Sequence, residues 1–300
     1  MAVYELIIVG GGAAGMLCAI EAKKSGIKNV LLIEKDNILG GALCLGNYNI
    51  SNELKITGKF YRKYLIEEYE RYNIETKLNT MVLKIEENNE VLCTSPANGI
   101  EKIKGDKIIL ANGAKEGSRK AIAMVGSRCA GIYTVGMAKK IFSMDNMVPG
   151  RKILINGWNT LYMIEKELKR SNIEIVGIVS DKEDINTYGL TENIYYNYEV
   201  SNIQGRGRVE KVILNNGDEE IEVECDTILF AKPQLSDGLV AMRSGIKLNP
   251  DTTGPEVNDE YMTSKKGVYA CGNGIYIHDY IEEIERESTL LIESIINNKW

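Results

Sequence analysis

The sequence predicts an α/β protein built around two parallel βαβ units. Three observations carry that prediction. Apolar runs of strand length alternate with stretches of helical period. Two of those runs end in a glycine turn that opens a helix, near residues 5–34 and 152–181. The two units also share one spacing: Gly10 to Glu34 and Gly157 to Asp181 are both 24 positions. Equal spacing reads as weak internal duplication of one fold.

In chain order, Leu6–Val9 is a short apolar strand, Met16–Lys24 a helix, and Gly26 suits its stop. Val30–Ile33 is a second strand and ends at Glu34, completing a βαβ unit of ordinary length. Phe60–Tyr72 has an amphipathic helical pattern, and Ile74–Leu78 and Met81–Ile85 read as short strands. Val91–Ser95 and Ile100–Ile103 read as a hairpin around the "PANG" turn, with Lys107–Leu110 a separate strand. Beyond these come a helix over Val135–Ser143, a strand over Lys152–Asn156, a helix over Leu161–Arg170 and a strand over Ile173–Val179. Asp226–Ala231 and Val268–Ala270 are further strands, and residues 280–297 form a strongly helical tail. The tyrosine-rich "NIYYNYEV" (193–200) reads as strand and core packing.

Composition narrows the function classes. At 300 residues there is room for one large domain or two ordinary ones, and 44% apolar with 26% charged residues is ordinary for a soluble globular chain. The 36 basic and 42 acidic residues leave a net charge of −6, which gives no reason to expect nucleic acid. No apolar run reaches the roughly 18–20 residues of a membrane helix. The N-terminus enters directly into "VYELIIVGGG", so a cytoplasmic protein without an integral membrane segment is expected. The cysteines (Cys18, Cys44, Cys93, Cys129, Cys225, Cys271) form no C-x-x-C pair, and there is one histidine; a Cys/His metal site is not expected.

"IIVGGGAAG" fits G-x-G-x-x-G at Gly10, Gly12 and Gly15. Gly10 suits the tight turn out of the strand, Gly12 lets backbone approach a pyrophosphate, and Gly15 lets the helix pack on the sheet. The helix N-terminus then offers free N–H groups to phosphate, and Glu34 is placed to accept from an adenosine ribose. These are the features of a Rossmann-like dinucleotide site. They do not choose between FAD and NAD.

Three further stretches bear on that choice. "ILANGAKE" (109–116) resembles the A-T-G-x-x-E segment of flavoproteins with two dinucleotide-binding domains, with Asn112 in place of threonine. "TSKKGVYACGN" (263–273) resembles their second flavin motif, T-x-x-x-G-V-Y-A-x-G-D, with Asn273 in place of aspartate. Glu34-Lys35 followed by "ILGGAL" also matches. The chain is thus similar to the thioredoxin-reductase-like members of the FAD-dependent pyridine nucleotide-disulfide oxidoreductase superfamily. Within it, "VYACGNGIYIHDYIEEIERES" looks most like the flavoprotein subunits of anaerobic glycerol-3-phosphate dehydrogenase-like, cyanide synthase and opine oxidase proteins.

The resemblance implies two Rossmann-like three-layer domains of the FAD/NAD(P)-binding fold, the second inserted in the first. Residues 1–115 and 236–300 would form a discontinuous FAD-binding domain, and 116–235 an NAD(P)-binding-like domain. Carried over residue by residue, FAD contacts fall on Gly10, Gly12, Ala13, Ala14 and Gly15, on Glu34, Lys35, Gly41, Ala42 and Val82, on Ala111, Asn112 and Gly113, and on Gly272, Asn273, Asp279 and Tyr280. Asn273 would hydrogen-bond the ribityl chain, since an amide can still pair with a hydroxyl. Asp279 with Glu282 reads as a capping box on the last helix, whose N–H groups would face the flavin in relatives.

The disulfide chemistry of the superfamily is not expected here. Exchange needs two sulfurs, and "GGALCLGNYN" holds only Cys44, with Asn49 where a second cysteine would fall. Cys44 is a candidate single-cysteine redox residue and His278 a candidate proton-transfer residue. In the second turn, "INGWNTLYM", Gly157 aligns with Gly10, but Asn159 replaces Gly12 and Tyr162 replaces Gly15. Asn159 would intrude on a pyrophosphate, and Tyr162 would push its helix off the sheet or force it to tilt. NAD(P)H is therefore not expected to bind there in the usual mode. The expected function is an FAD-dependent oxidoreductase, an electron-transferring flavoprotein subunit working with a second flavoprotein or dehydrogenase subunit, with self-association left open. A self-contained NAD(P)H-dependent flavin reductase and a non-catalytic flavin scaffold are the alternatives.

Overall fold

The structure, a computed structural model, describes residues 3–117 and 125–297. The chain divides into two compact units, Met1–Lys115 with Leu235–Trp300 and Glu116–Gln234. The first unit opens with β1 (Val3–Val9), α1 (Ala13–Lys24) and β2 (Val30–Ile33), followed by α2 (Gly58–Glu70), β3 (Glu75–Lys77), β4 (Met81–Ile85), β5 (Glu90–Ser95), β6 (Gly99–Leu110) and β7 (Ala114–Glu116). The second unit carries β8 (Ile132–Thr134), α3 (Val135–Met144), β9 (Lys152–Asn156), α4 (Glu165–Arg170), β10 (Glu174–Ser180), β11 (Ile194–Tyr196), β12 (Glu199–Gln204), β13 (Lys211–Asn215), β14 (Glu220–Glu224) and β15 (Thr227–Phe230). After β16 (Gln234–Ser236), the first unit is completed by α5 (Leu239–Arg243), β17 (Val268–Ala270) and α6 (Ile281–Asn297).

In the first unit β3, β2, β1 and β6 lie side by side in parallel, with β17 parallel to β6 on its far side. Strands buried on both faces read as continuous apolar runs, which is why "LIIV" and "VLLI" carry no alternation. Leu6, Ile8, Leu32 and Ile109 face a core shared with α1, α2 and α6, while Ile7, Leu31, Ile33 and Ile108 face a second core on the other side. Each such fully buried side chain contributes about 1.5–3 kcal/mol.

One expectation is corrected here. The segments 100–103 and 107–110 are not two strands but one, the 12-residue β6. Its first half pairs antiparallel with β5 and its second half parallel with β1 and β17. The strand runs through Lys104-Gly105-Asp106 because Gly105 leaves room for Ile7: a Cβ there would lie 2.8 Å from the Ile7 side chain.

The second unit has a five-stranded parallel sheet in the order β11-β10-β9-β15-β8, and an antiparallel sheet of β12, β13 and β14. The antiparallel sheet was not anticipated from the sequence. Tyr195 and Tyr198 pack at the edge of this unit's core with ring centroids 6.2 Å apart, whereas Tyr196 is exposed. The helix expected over 161–170 is broken into a 3₁₀ turn at Leu161–Met163 and α4 proper.

Candidate dinucleotide sites in the two units

Register brings the first site together. Val9 pairs with Ile33 and Leu110, and Leu110 with Ala270, so β1, β2, β6 and β17 end level with one another. Gly10, Glu34, Ala111 and Cys271 follow at one edge of the sheet. The chain leaves β1 for β2 on one side and later lays β6 on the other, which makes this edge a topological switch point, where open α/β sheets bind ligands.

Gly10 adopts φ +110°, its N–H bonds the Ile33 carbonyl at 2.8 Å, and a Cβ there would overlap the Ala111 carbonyl. A Cβ on Gly15 would overlap the Gly10 carbonyl, so only glycine lets α1 start this close to the strand end. Gly12 is different: a Cβ there meets no atom within 4 Å, and the same is true of Gly113. Gly12 caps α1 without any side-chain hydrogen bond among the described residues. The first N–H groups of α1 are therefore left without a side-chain cap, as at helix starts that can take phosphate.

Glu34 is buried and accepts from the Gly11 N–H at 2.6 Å and the Asp36 N–H at 2.8 Å, which ties the acid to the glycine turn. The Gly40 N–H bonds the Gly11 carbonyl, bringing the 3₁₀ turn of Gly41 and Ala42 against Gly12. Gly274 approaches the backbone of Asn112 and Gly113, and Gly272 approaches the Ala14 side chain. An extended dinucleotide fits this cradle on three grounds: an uncapped helix start, clear space over two glycines, and an acid at the end of β2. Val82 is buried in the core, two residues past Thr80, whose N–H bonds the Glu34 carbonyl at 2.9 Å. Lys35 points to solvent and pairs with Asp36.

The last helix corrects the sequence reading. Its cap is Glu283, not Glu282: Glu283 Oε2 accepts from the N–H groups of both Asp279 and Tyr280, each at 3.0 Å. Glu282 instead accepts from the Ser51 hydroxyl and the Asn52 N–H. Burial pushes its carboxyl up, but the hydrogen bond from Ser51 and those from backbone N–H groups outweigh that and hold it below the ordinary range. The Ile281 N–H bonds the Ile50 carbonyl. The N–H groups expected to face a cofactor at residues 279–281 thus already have acceptors within the protein.

His278 is buried, with its ring 4.2 Å from that of Tyr276 in a stacked arrangement. Its Nδ1 lies 3.0 Å from Asn273 Oδ1 and its Nε2 3.0 Å from Glu287 Oε2, and the Gly272 N–H bonds the other oxygen of Glu287. Glu287 was missed by the sequence reading. The signal was available: it sits among Ile281, Leu291, Ile292 and Ile295 on the buried face of α6, where a lone carboxylate needs a partner.

All six cysteines are free. Cys44 is half-buried beside the Leu39 carbonyl, 3.6 Å from its sulfur. Cys18 and Cys271 lie 3.6 Å apart in the core, and the contact with Cys18 together with burial holds the Cys271 thiol well above its ordinary range. Cys271 is thereby kept protonated, which suits packing and not attack on a disulfide.

The second unit repeats the first construction up to its first glycine. Asn156 pairs with Val179 and Phe230, Gly157 adopts φ +98°, its N–H bonds the Val179 carbonyl at 2.9 Å, and a Cβ would lie 2.8 Å from the Ala231 carbonyl. There the likeness ends. The N–H groups of Leu161, Met163 and Ile164 bond the carbonyls of Trp158, Thr160 and Leu161 inside the 3₁₀ turn. The Trp158 indole N–H donates to Asp181 at 3.0 Å, and Lys182 lies over the indole, 4.8 Å from the ring centroid. That hydrogen bond is the main reason the Asp181 carboxyl sits below its ordinary range. Tyr162 lies in a 3₁₀ turn, in place of the displaced or tilted helix that was expected. The backbone unwinds instead and leaves Tyr162 exposed, with Leu161 and Ile164 buried in its place. Buried Lys139 then bonds the Met163 carbonyl at the break and pairs with Glu167 at 3.1 Å.

A parallel sheet with an open glycine cradle at its switch point, followed by a second unit of the same plan, defines the class of two-dinucleotide-domain oxidoreductases. The chain belongs to the pyridine nucleotide-disulphide oxidoreductase family, which it matches over residues 4–154. It is similar to the hydrogen cyanide synthase protein HcnB of Pseudomonas protegens, with 25% identity over 57% of this chain and 37% of that protein. It is also similar to a ferredoxin–NADP reductase of Picrophilus torridus, with 21% identity over 90% of this chain and 85% of that protein, and to an opine oxidase subunit of Agrobacterium tumefaciens, with 20% identity over 90% of this chain and 61% of that protein. The chain therefore spans about a third of the length of the cyanide synthase protein and under two thirds of that of the opine oxidase protein. Among solved structures, T. acidophilum thioredoxin reductase superposes with a TM-score of 0.77 at 19% identity, over 99% of both chains. Among the described residues no helix is long and apolar enough to cross a membrane.

Proposed function

We propose that the chain binds FAD in its first unit, does not use NAD(P)H in its second, and serves as an electron-transferring subunit beside a partner dehydrogenase. One observation carries this reading: of two glycine turns with the same first-glycine geometry, the first leaves its helix N-terminus free and the second ties its own N–H groups and its acid to Trp158 and the 3₁₀ turn. FAD, when bound, supplies a two-electron acceptor. The N-terminal N–H groups of α1 hold phosphate, Gly12 and Gly113 admit the cofactor's backbone contacts, and Glu34 orients the ribose. Two of the similar proteins carry "subunit" in their names, which fits a role within a complex. The lack of a second sulfur near Cys44 argues against a disulfide reductase.

A second reading, a self-contained NAD(P)H-dependent flavin reductase, draws on the Picrophilus relative, which the chain matches over most of its length. Affinity purification of the tagged chain from its own cells separates the two. The proposal expects a yellow protein that copurifies with a dehydrogenase subunit, its flavin being reduced by the substrate of that dehydrogenase. Rapid turnover of NADH by the isolated chain contradicts it.

A further inference from the structure

Glu287 has no place in the dinucleotide cradle as the sequence describes it, yet it is buried at 4% exposure and bonded on both oxygens. Its partners lie on the loop that forms one wall of the cradle. Oε1 takes the Gly272 N–H, and Oε2 faces Nε2 of His278, whose other nitrogen faces Asn273.

The hydrogen-bond inventory fixes the direction of this chain of contacts. Asn273 Oδ1 also accepts from the His278 backbone N–H at 3.1 Å, a bond only the carbonyl end of the amide can make. The amide is therefore not free to flip. Its oxygen faces His278, so Nδ1 of the ring must carry a proton to satisfy it. Nε2 then meets a carboxylate oxygen, and one proton lies between them. With its oxygen held twice, Asn273 has only its Nδ2 donors left for anything outside the network. Where the resemblance has an aspartate, an acceptor, this chain would present a donor.

We propose that Glu287 is a positioning residue: through His278 it locks Asn273 as a hydrogen-bond donor toward the flavin cofactor, and through the Gly272 N–H it holds the loop that carries it. This rests on the reading that FAD occupies the first unit. A donor at this point suits an anionic or hydroxyl-rich stretch of the cofactor, its phosphate or ribityl oxygens.

The single histidine makes the network directly readable, because nitrogen-15 labelling of histidine gives one imidazole. In the wild type Nδ1 should show protonated character, with one slowly exchanging proton shared between Nε2 and Glu287. Glu287→Gln keeps an acceptor for Gly272 but turns an amide N–H₂ toward His278. The ring should then keep its proton on Nδ1 and show a bare, pyridine-like Nε2, and FAD affinity should stay within about threefold of wild type. Glu287→Ala leaves Gly272 and His278 without their acceptor, and FAD affinity should fall about tenfold or more, on the scale of a hydrogen bond to a charged group. A bare Nδ1 in the wild type, or a glutamine variant whose Nε2 stays protonated, overturns the network. FAD affinity equal in wild type and Glu287→Ala overturns the positioning role. The histidine spectra need no cofactor, so they stand even if Glu287→Ala does not fold. Failure of the wild type to bind FAD overturns the functional reading instead, and the two failures are thereby told apart.

Discussion

The two glycine turns start alike and end differently. Gly10 and Gly157 have φ of +110° and +98°, bond the carbonyl at the end of the neighbouring strand, and abut the carbonyl of an alanine just past a third strand. That glycine serves the backbone: any βαβ unit with this geometry needs it, whatever it binds. The next two glycines serve the ligand and the close approach of helix to sheet, and they are the ones the second unit lacks. The two units share one scaffold at the turn, and they part between the first glycine and the second.

The largest effect should come from the position the two turns share. Gly10→Ala and Gly157→Ala force a left-handed backbone onto a Cβ that has no room, and each should destabilise its own unit by about 3–5 kcal/mol in chemical unfolding. A tolerated alanine at either site would break the parallel. Next in size, Gly12→Val should leave the fold within about 1 kcal/mol, the scale of a helix-cap change. It should lower FAD affinity about a hundredfold, because its Cβ enters space that no protein atom occupies within 4 Å and that the cofactor would need; equilibrium flavin titration reads this directly. The matching change in the other unit, Asn159→Gly, should gain no NADH affinity, since the N–H groups of Leu161, Met163 and Ile164 already have acceptors.

What could be read from the sequence follows the range of each interaction. The first cradle was legible because strand, glycines, helix and acid follow one another closely in the chain and each glycine has its own steric reason. That the second turn departs from the first was legible from Asn159 and Tyr162, but the geometry that replaces it was not. The sequence shows a tyrosine that cannot pack; only the fold shows the helix yielding into a 3₁₀ turn with Lys139 bonded at the break. The last helix begins one residue away from the reading, which moves the cap from Glu282 to Glu283. Continuity of β6 depends on Gly105 making space for Ile7, a contact between distant parts of the sequence that no local pattern carries.

The smallest effect tests what fills the second cradle. Trp158→Phe removes the indole donor to Asp181 and should cost the second unit about 1 kcal/mol. Because Asp181 titrates below its ordinary value when folded, this contribution is present at neutral pH, above its unfolded pKa, and is lost as pH falls through the folded pKa in the acid range. The wild type and variant should therefore converge in stability under acid. Carboxyl NMR should show Asp181 of Trp158→Phe moving back up toward its ordinary range.

The contrast between the two turns is tested most directly by titrating the FAD-loaded chain with NADH and with NADPH without oxygen, following heat and flavin absorbance together. The account predicts one bound dinucleotide per chain, no heat of binding for either nicotinamide, and an oxidised flavin spectrum that persists. Saturable nicotinamide binding with flavin bleaching within seconds would contradict it.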